Sequence, residues 1–194
     1  MDAVYGLLGV VIGWALLLIS DTSKDRRAAK READASSEAR SAHLWELSRH
    51  AASELQADFV ALAKATRRRY QVSEPDERFE DVFDESWEGQ ESQYEQQVAL
   101  IPDATFRSAL ETVIEGIGAN YGLVYKAGYA SSREATVNQL AALGFDLTSA
   151  WLRGERVIDA RVFERIDDLR KSLAHMYQTY QEEQDAERDN RAKR

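Results

Sequence analysis

With 194 residues and no cysteine, the chain is long enough for one domain with a sizeable core, and it excludes disulfides and thiolate metal sites. The net charge of −9 is local: ten acids and one base, Arg78, fall between Glu74 and Glu95, and the remaining acids and bases balance at 24 each. Nucleic-acid binding needs a net basic face, so no nucleic-acid partner is expected.

The first element is the run "AVYGLLGVVIGWALLLIS", 18 consecutive uncharged residues from Ala3 to Ser20. As a helix at ~1.5 Å per residue it reaches about 27 Å, close to the thickness of a thin hydrocarbon core. No positive charge precedes it and "LLLISDTSK" offers no small-x-small cleavage site, so an uncleaved transmembrane anchor is predicted rather than a signal peptide. Lys24, Arg26, Arg27, Lys30 and Arg31 follow the run, and cationic flanks stay on the cytoplasmic side. A single-pass cell-membrane protein follows, with its N-terminus outside and its body in the cytoplasm, and the lipid bilayer as its first partner. Gly6, Gly9 and Gly13 lie roughly on one face, and Gly9 with Gly13 matches the G-x-x-x-G spacing that lets two membrane helices approach. Self-association of two copies through this face is expected.

Residues 21–43 read as a polar helical stalk. Ala28, Ala35 and Ala42 recur every seven residues with Ala39 between, a pattern suited to packing against a second copy. From Leu44 a core-facing stripe begins: Trp45, Ala52 and Phe59 at intervals of seven, Leu55 and Leu62 interleaved, Leu44 and Leu47 beside them. Lys64 and Arg67 to Arg69 suit its C-terminal end electrostatically. Stalk and stripe together predict one helix of roughly 50 residues, about 75 Å long.

"QVSEPDE" breaks that helix, and the acidic segment restarts it with Phe79, Phe83 and Trp87 stepping by four and Val82, Tyr94 and Val98 continuing the face. Pro102-Asp103 starts the next helix, in which Phe106, Leu110, Ile117, Tyr121 and Val124 keep a helical period. Glycines in "GIGANYGLVYKAGY" weaken it, so 116–129 reads as helix with a strand as the alternative, and Gly118-x-x-x-Gly122 permits a close helix crossing. Ser131 and Glu134 form a capping box for a helix through Val137, Leu140, Leu143, Leu147 and Trp151, bent at Gly144 and ending by Gly154. The last helix has the seam Val162, Ile166, Leu169, Leu173, Met176 and Tyr180, and residues 181–194 form a polar tail expected to fray.

The predicted fold is therefore all-α: a transmembrane anchor over 1–20, a stalk over 21–43, a cytoplasmic antiparallel bundle of about four helices over 44–180, and a tail over 181–194. No G-x-S-x-G, P-loop or H-E-x-x-H motif occurs, and Gly116 to Gly122 is one residue off a dinucleotide fingerprint with no strand before it, so no catalytic residue or cofactor is assigned.

One metal set is weighed, His43, Glu46, His50 and Glu54 on one helix face; di-metal bundles use the opposite order on two helices, and a solvated face is the simpler reading. The carboxylate ladder of the acidic segment does not converge on a cation. It reads as a wet face, or as a docking surface for a basic protein with Phe83 and Trp87 as anchors beside Asp84 and Glu88. The leading functional expectation is a membrane-tethered, non-enzymatic helical interaction or scaffold protein. Behind it stand a metal-binding protein or enzyme using the His/Glu set, and a membrane-active oligomer.

Overall fold

A computed structural model describes the backbone of residues 2–70 and 78–192, and the side chains of residues 30, 32, 34–66, 83, 87 and 89–192. Six helices follow in order: α1 (Asp2–Tyr70), α2 (Arg78–Ala99), α3 (Ala104–Gly118), α4 (Asn120–Tyr125), α5 (Arg133–Leu152) and α6 (Ala160–Ala192). The all-helical expectation holds for the described residues. The chain divides into two compact units, Met1–Glu46 and Leu47–Arg194. Among the described residues no helix is long and apolar enough to cross a membrane. The predicted anchor, Ala3 to Ser20, and its glycines Gly6, Gly9 and Gly13 lie outside the residues whose side chains are described.

In the first unit the described stalk side chains are exposed almost throughout, including Ala35, Ala39 and Ala42. Serines there bond back to the helix itself, Ser37 Oγ to the Asp34 carbonyl and Ser41 Oγ to the Ser37 carbonyl, both at 2.9 Å.

In the second unit, local chemistry sets the helix ends. Asp103 caps α3 by accepting from the amides of Thr105 (2.9 Å) and Phe106 (3.1 Å), satisfying donors that the first turn leaves open. The cap of α5 is Ser132, one residue later than the capping box predicts, accepting from the Ala135 amide at 3.1 Å. Gly154, at φ +77°, ends α5 in the left-handed region that glycine enters without a steric penalty.

The stretch 116–129 is helical but broken. α3 stops at Gly118 and α4 restarts at Asn120, whose side-chain amide donates to the Ile117 carbonyl at 2.8 Å, while the buried Arg133 Nε donates to Asn120 Oδ1. A side chain that competes for backbone carbonyls at this point explains why the helical period of the sequence runs through a break in the helix.

The core is assembled around α3, which buries Phe106, Ala109, Leu110, Val113, Ile114 and Ile117 against α2, α5 and α6. Phe106 meets Trp151 of α5 at 5.7 Å between ring centroids, and Ile166, Leu169, Leu173 and Met176 supply the α6 side. The α1 stripe enters this core from Ala51 and Ala52 through Leu55 to Phe59. Its expected upper end is corrected: Leu44, Trp45 and Leu47 are exposed, at 61%, 43% and 38%, and burial begins at Ser48. The tail is also more regular than predicted. α6 continues to Ala192 on an exposed run stitched by spacing-dependent pairs, Gln178 with Glu182 (2.9 Å) and Arg191 with Glu187 (3.6 Å).

Gly144 of α5 is less a bend than a seat. The Phe59 ring lies against its bare Cα, so closely that an added Cβ would sit 2.5 Å from ring carbons. Gly144→Ala must displace the Phe59 ring, which also packs at 5.6 Å from the Tyr94 ring, and is expected to destabilise by about 1–3 kcal/mol, the usual overpacking range. Urea unfolding followed by far-ultraviolet circular dichroism checks this, and an unchanged midpoint would contradict the packing described.

Candidate functional site

Because α3 is buried on most of its circumference, its polar residues are confined to one narrow edge. Glu111 and Glu115 stand there one turn apart, followed by Gly118 and Ala119. α2 runs alongside and presents Glu91 and Glu95, also one turn apart. α6 closes the third side with Tyr177. Together with Ile114 on its floor, these residues line an open cleft of about 650 Å³.

Four carboxylates thus face one space from two helices. Among the described residues none of the four is in an ion pair. Like charges at i, i+4 cost a helix ~0.2–0.5 kcal/mol per pair, so the cleft carries a small repulsion that an arriving cation relieves.

The seam between α3 and α6 is held by polar bonds beside the cleft. Arg170 donates through Nη2 to Ser108 Oγ (3.0 Å) and through Nε to Thr112 Oγ1 (3.3 Å). Two turns along α6, the Tyr177 hydroxyl donates to Glu115 Oε1 at 3.0 Å. Burial first, and then the Glu115 carboxylate, pushes the Tyr177 phenol above its usual range, so it remains a neutral donor.

The docking anchors expected from sequence are corrected. Phe83 and Trp87 are 7% and 5% exposed and belong to the core: their rings stack at 6.0 Å, and Trp87 meets Tyr94 at 5.2 Å. Their four-residue spacing is that of a helix packing inward, and their rings are used by the chain itself. The side chains of Asp84 and Glu88 lie outside the described residues.

The metal set is not assembled either. His43 and Glu46 are exposed in the first unit, while in the second unit His50 Nε2 and Glu54 Oε1 form an exposed pair at 3.2 Å. Glu54 is further tied to α2, its Oε2 accepting from Gln97 Nε2 at 3.3 Å. Among the described residues no three histidine, aspartate or glutamate side chains converge as metal ligands, and the remaining histidine, His175, is exposed on α6.

Glu111, Glu115 and Tyr177 were not singled out by sequence. The available signal was Glu111 and Glu115 at i, i+4 on an otherwise apolar helix; that Glu91 and Glu95 face them is a tertiary fact.

Beneath this region, at the α1–α2 contact, Asp58 is held above the usual carboxylate range, mainly by burial and further by the neighbouring Glu54, with a Gln97 hydrogen bond pulling the other way. Tyr94 is driven well above the usual phenol range by burial, with Asp58 adding to it. Between pH 3.8 and its raised folded-state value, Asp58 binds more proton in the native protein than in the unfolded chain, so this group's contribution to stability falls as pH rises through that window. Asp58→Asn is accordingly expected to raise the melting temperature at pH 7 and to lose that advantage near pH 3, measured by thermal unfolding at both.

Compared with known proteins, the chain matches no family model, no curated protein and no solved structure, so what its cleft does has to be read from geometry and charge.

Proposed function

We propose that this chain is a membrane-tethered, non-enzymatic helical interaction protein whose body offers an acidic cleft to a basic protein partner. The observation that carries the reading is the cleft itself: Glu91, Glu95, Glu111 and Glu115 converge from α2 and α3 on one accessible space, without a described cation among them. Charge concentrated on a rigid frame steers an oppositely charged partner and fixes its register. The tether rests on the sequence: the uncharged run Ala3 to Ser20 supports a membrane anchor, and the five bases from Lys24 to Arg31 favour a body on the cytoplasmic side. Exposed alanines on the stalk, Ala35, Ala39 and Ala42, and the glycine face at Gly6, Gly9 and Gly13 support pairing of two copies, which brings two clefts together.

The test is chemical crosslinking on intact membranes with the full chain. A discrete partner band is expected in the membrane fraction and is expected to disappear with Glu111→Lys combined with Glu115→Lys, while circular dichroism stays helical. Protease added to intact cells is expected to spare the body. A body digested from outside, or a chain recovered entirely from the soluble fraction, refutes the tethered orientation; a partner band indifferent to the charge reversal refutes the cleft as its site.

A further inference from the structure

Away from the cleft, the contact between α1 and α2 holds a line of titratable groups. On α1, His50, Glu54 and Asp58 follow one another at single-turn spacing. His50 Nε2 lies 3.2 Å from Glu54 Oε1, and Glu54 Oε2 accepts from Gln97 Nε2 of α2 at 3.3 Å. The same amide hydrogen-bonds Asp58. Gln97 is 7% exposed, and its Oε1 is buried with no hydrogen-bond partner among the described residues. One buried amide thus turns its donor end to two carboxylates and leaves its acceptor end unanswered, the orientation that two negative charges favour.

Among the described residues Asp58 is in no ion pair, and Glu54 pairs only with His50. From α2 the facing groups are Gln97 and Tyr94, whose phenol burial keeps protonated. From α5 they are Ser149, which accepts from Gln56 Nε2 at 2.7 Å, and Gly144 against the Phe59 ring. None of these is charged at neutral pH. Two effects therefore run in one direction. At higher pH Glu54 and Asp58 repel across one turn, Asp58 is ionised while half-buried, and a neutral His50 gives Glu54 only a hydrogen bond. At lower pH Asp58 takes up a proton, and a protonated His50 becomes an ion partner for Glu54.

We propose that His50, Glu54, Asp58 and Gln97 form a proton-set clasp, by which α1 grips α2 more firmly as pH falls and lifts from it more readily as pH rises. Beside the clasp Leu55 and Phe59 are fully buried, with the Phe59 ring packed on Gly144 and 5.6 Å from the Tyr94 ring. Lifting α1 uncovers these residues, whereas the packing of α3 against α5 and α6 uses none of the four clasp residues. The clasp sets how often this apolar face opens in a body that is otherwise folded.

The test is native-state hydrogen exchange of the full chain in micelles of a neutral detergent, read by mass spectrometry and corrected for the intrinsic exchange rate at each pH. A charge pair at single-turn spacing shifts an equilibrium by about twofold, and two such pairs act here, so protection over residues 50–62 is expected to fall about fourfold between about pH 5 and about pH 7.5. This stretch is expected to exchange before α5 and α6 at both values. Glu54→Gln combined with Asp58→Asn, which keeps every side-chain shape, is expected to abolish the fall, and His50→Gln to leave about half of it; circular dichroism confirms that each variant is folded. Equal protection at the two pH values, a fall that persists in full in either variant, or α1 exchanging only together with α5 and α6 overturns the proposal.

Discussion

The second unit depends on the burial of α3. Eight of its fifteen side chains or glycines are out of solvent, and four other helices pack around it. Burying Phe106, Leu110, Val113 and Ile117 each contributes on the order of 1.5–3 kcal/mol of hydrophobic stabilisation before entropy is counted. That burial leaves the exposed residues of α3 mostly along one side of the helix. Glu111 and Glu115 lie on that side, at the α2–α3–α6 cleft. The acidity of the cleft follows from where its central helix remains exposed.

Close approach is the second constraint, and glycine is where it is visible. Phe59 reaches the core only because Gly144 has no side chain, and the Sδ of Met176 in α6 lies against the bare Cα of Gly122 in α4. Gly116 likewise faces Leu140 and Leu169. At Gly118 the neighbour is different: a polar N–H and a carboxylate instead of a packed hydrocarbon. The same residue type that elsewhere admits a core side chain here admits the indole edge of Trp87 and the Glu91 carboxylate beside the cleft.

The aromatic period of α2 was legible as an inward face but not as to what lay inward. Phe83 and Trp87 were equally consistent with an exposed docking stripe, because amphipathicity tells which residues share a side and not what covers that side. The α1 stripe shows the same limit at its upper end, where the heptad spacing continues through Trp45 while burial does not. The break between α3 and α4 was hidden for another reason. Asn120 and Arg133 are thirteen residues apart, and their buried hydrogen bond, which accompanies the interruption, involves no local propensity.

What the sequence by itself determined is the helical class, the positions of most helix ends, the two faces of each helix and the apolar run at the start of the chain. These are set by periodicity, capping chemistry and composition, which act over a few residues and need no partner. Only the tertiary structure decided that Glu91 and Glu95 face Glu111 and Glu115, that Trp87 keeps its ring in the core with its indole nitrogen packed against Gly118, and that His50 pairs with Glu54 on an exposed face. Each of these depends on residues from different turns or helices meeting at one point, and such meetings are fixed by side-chain packing between elements rather than by spacing along one.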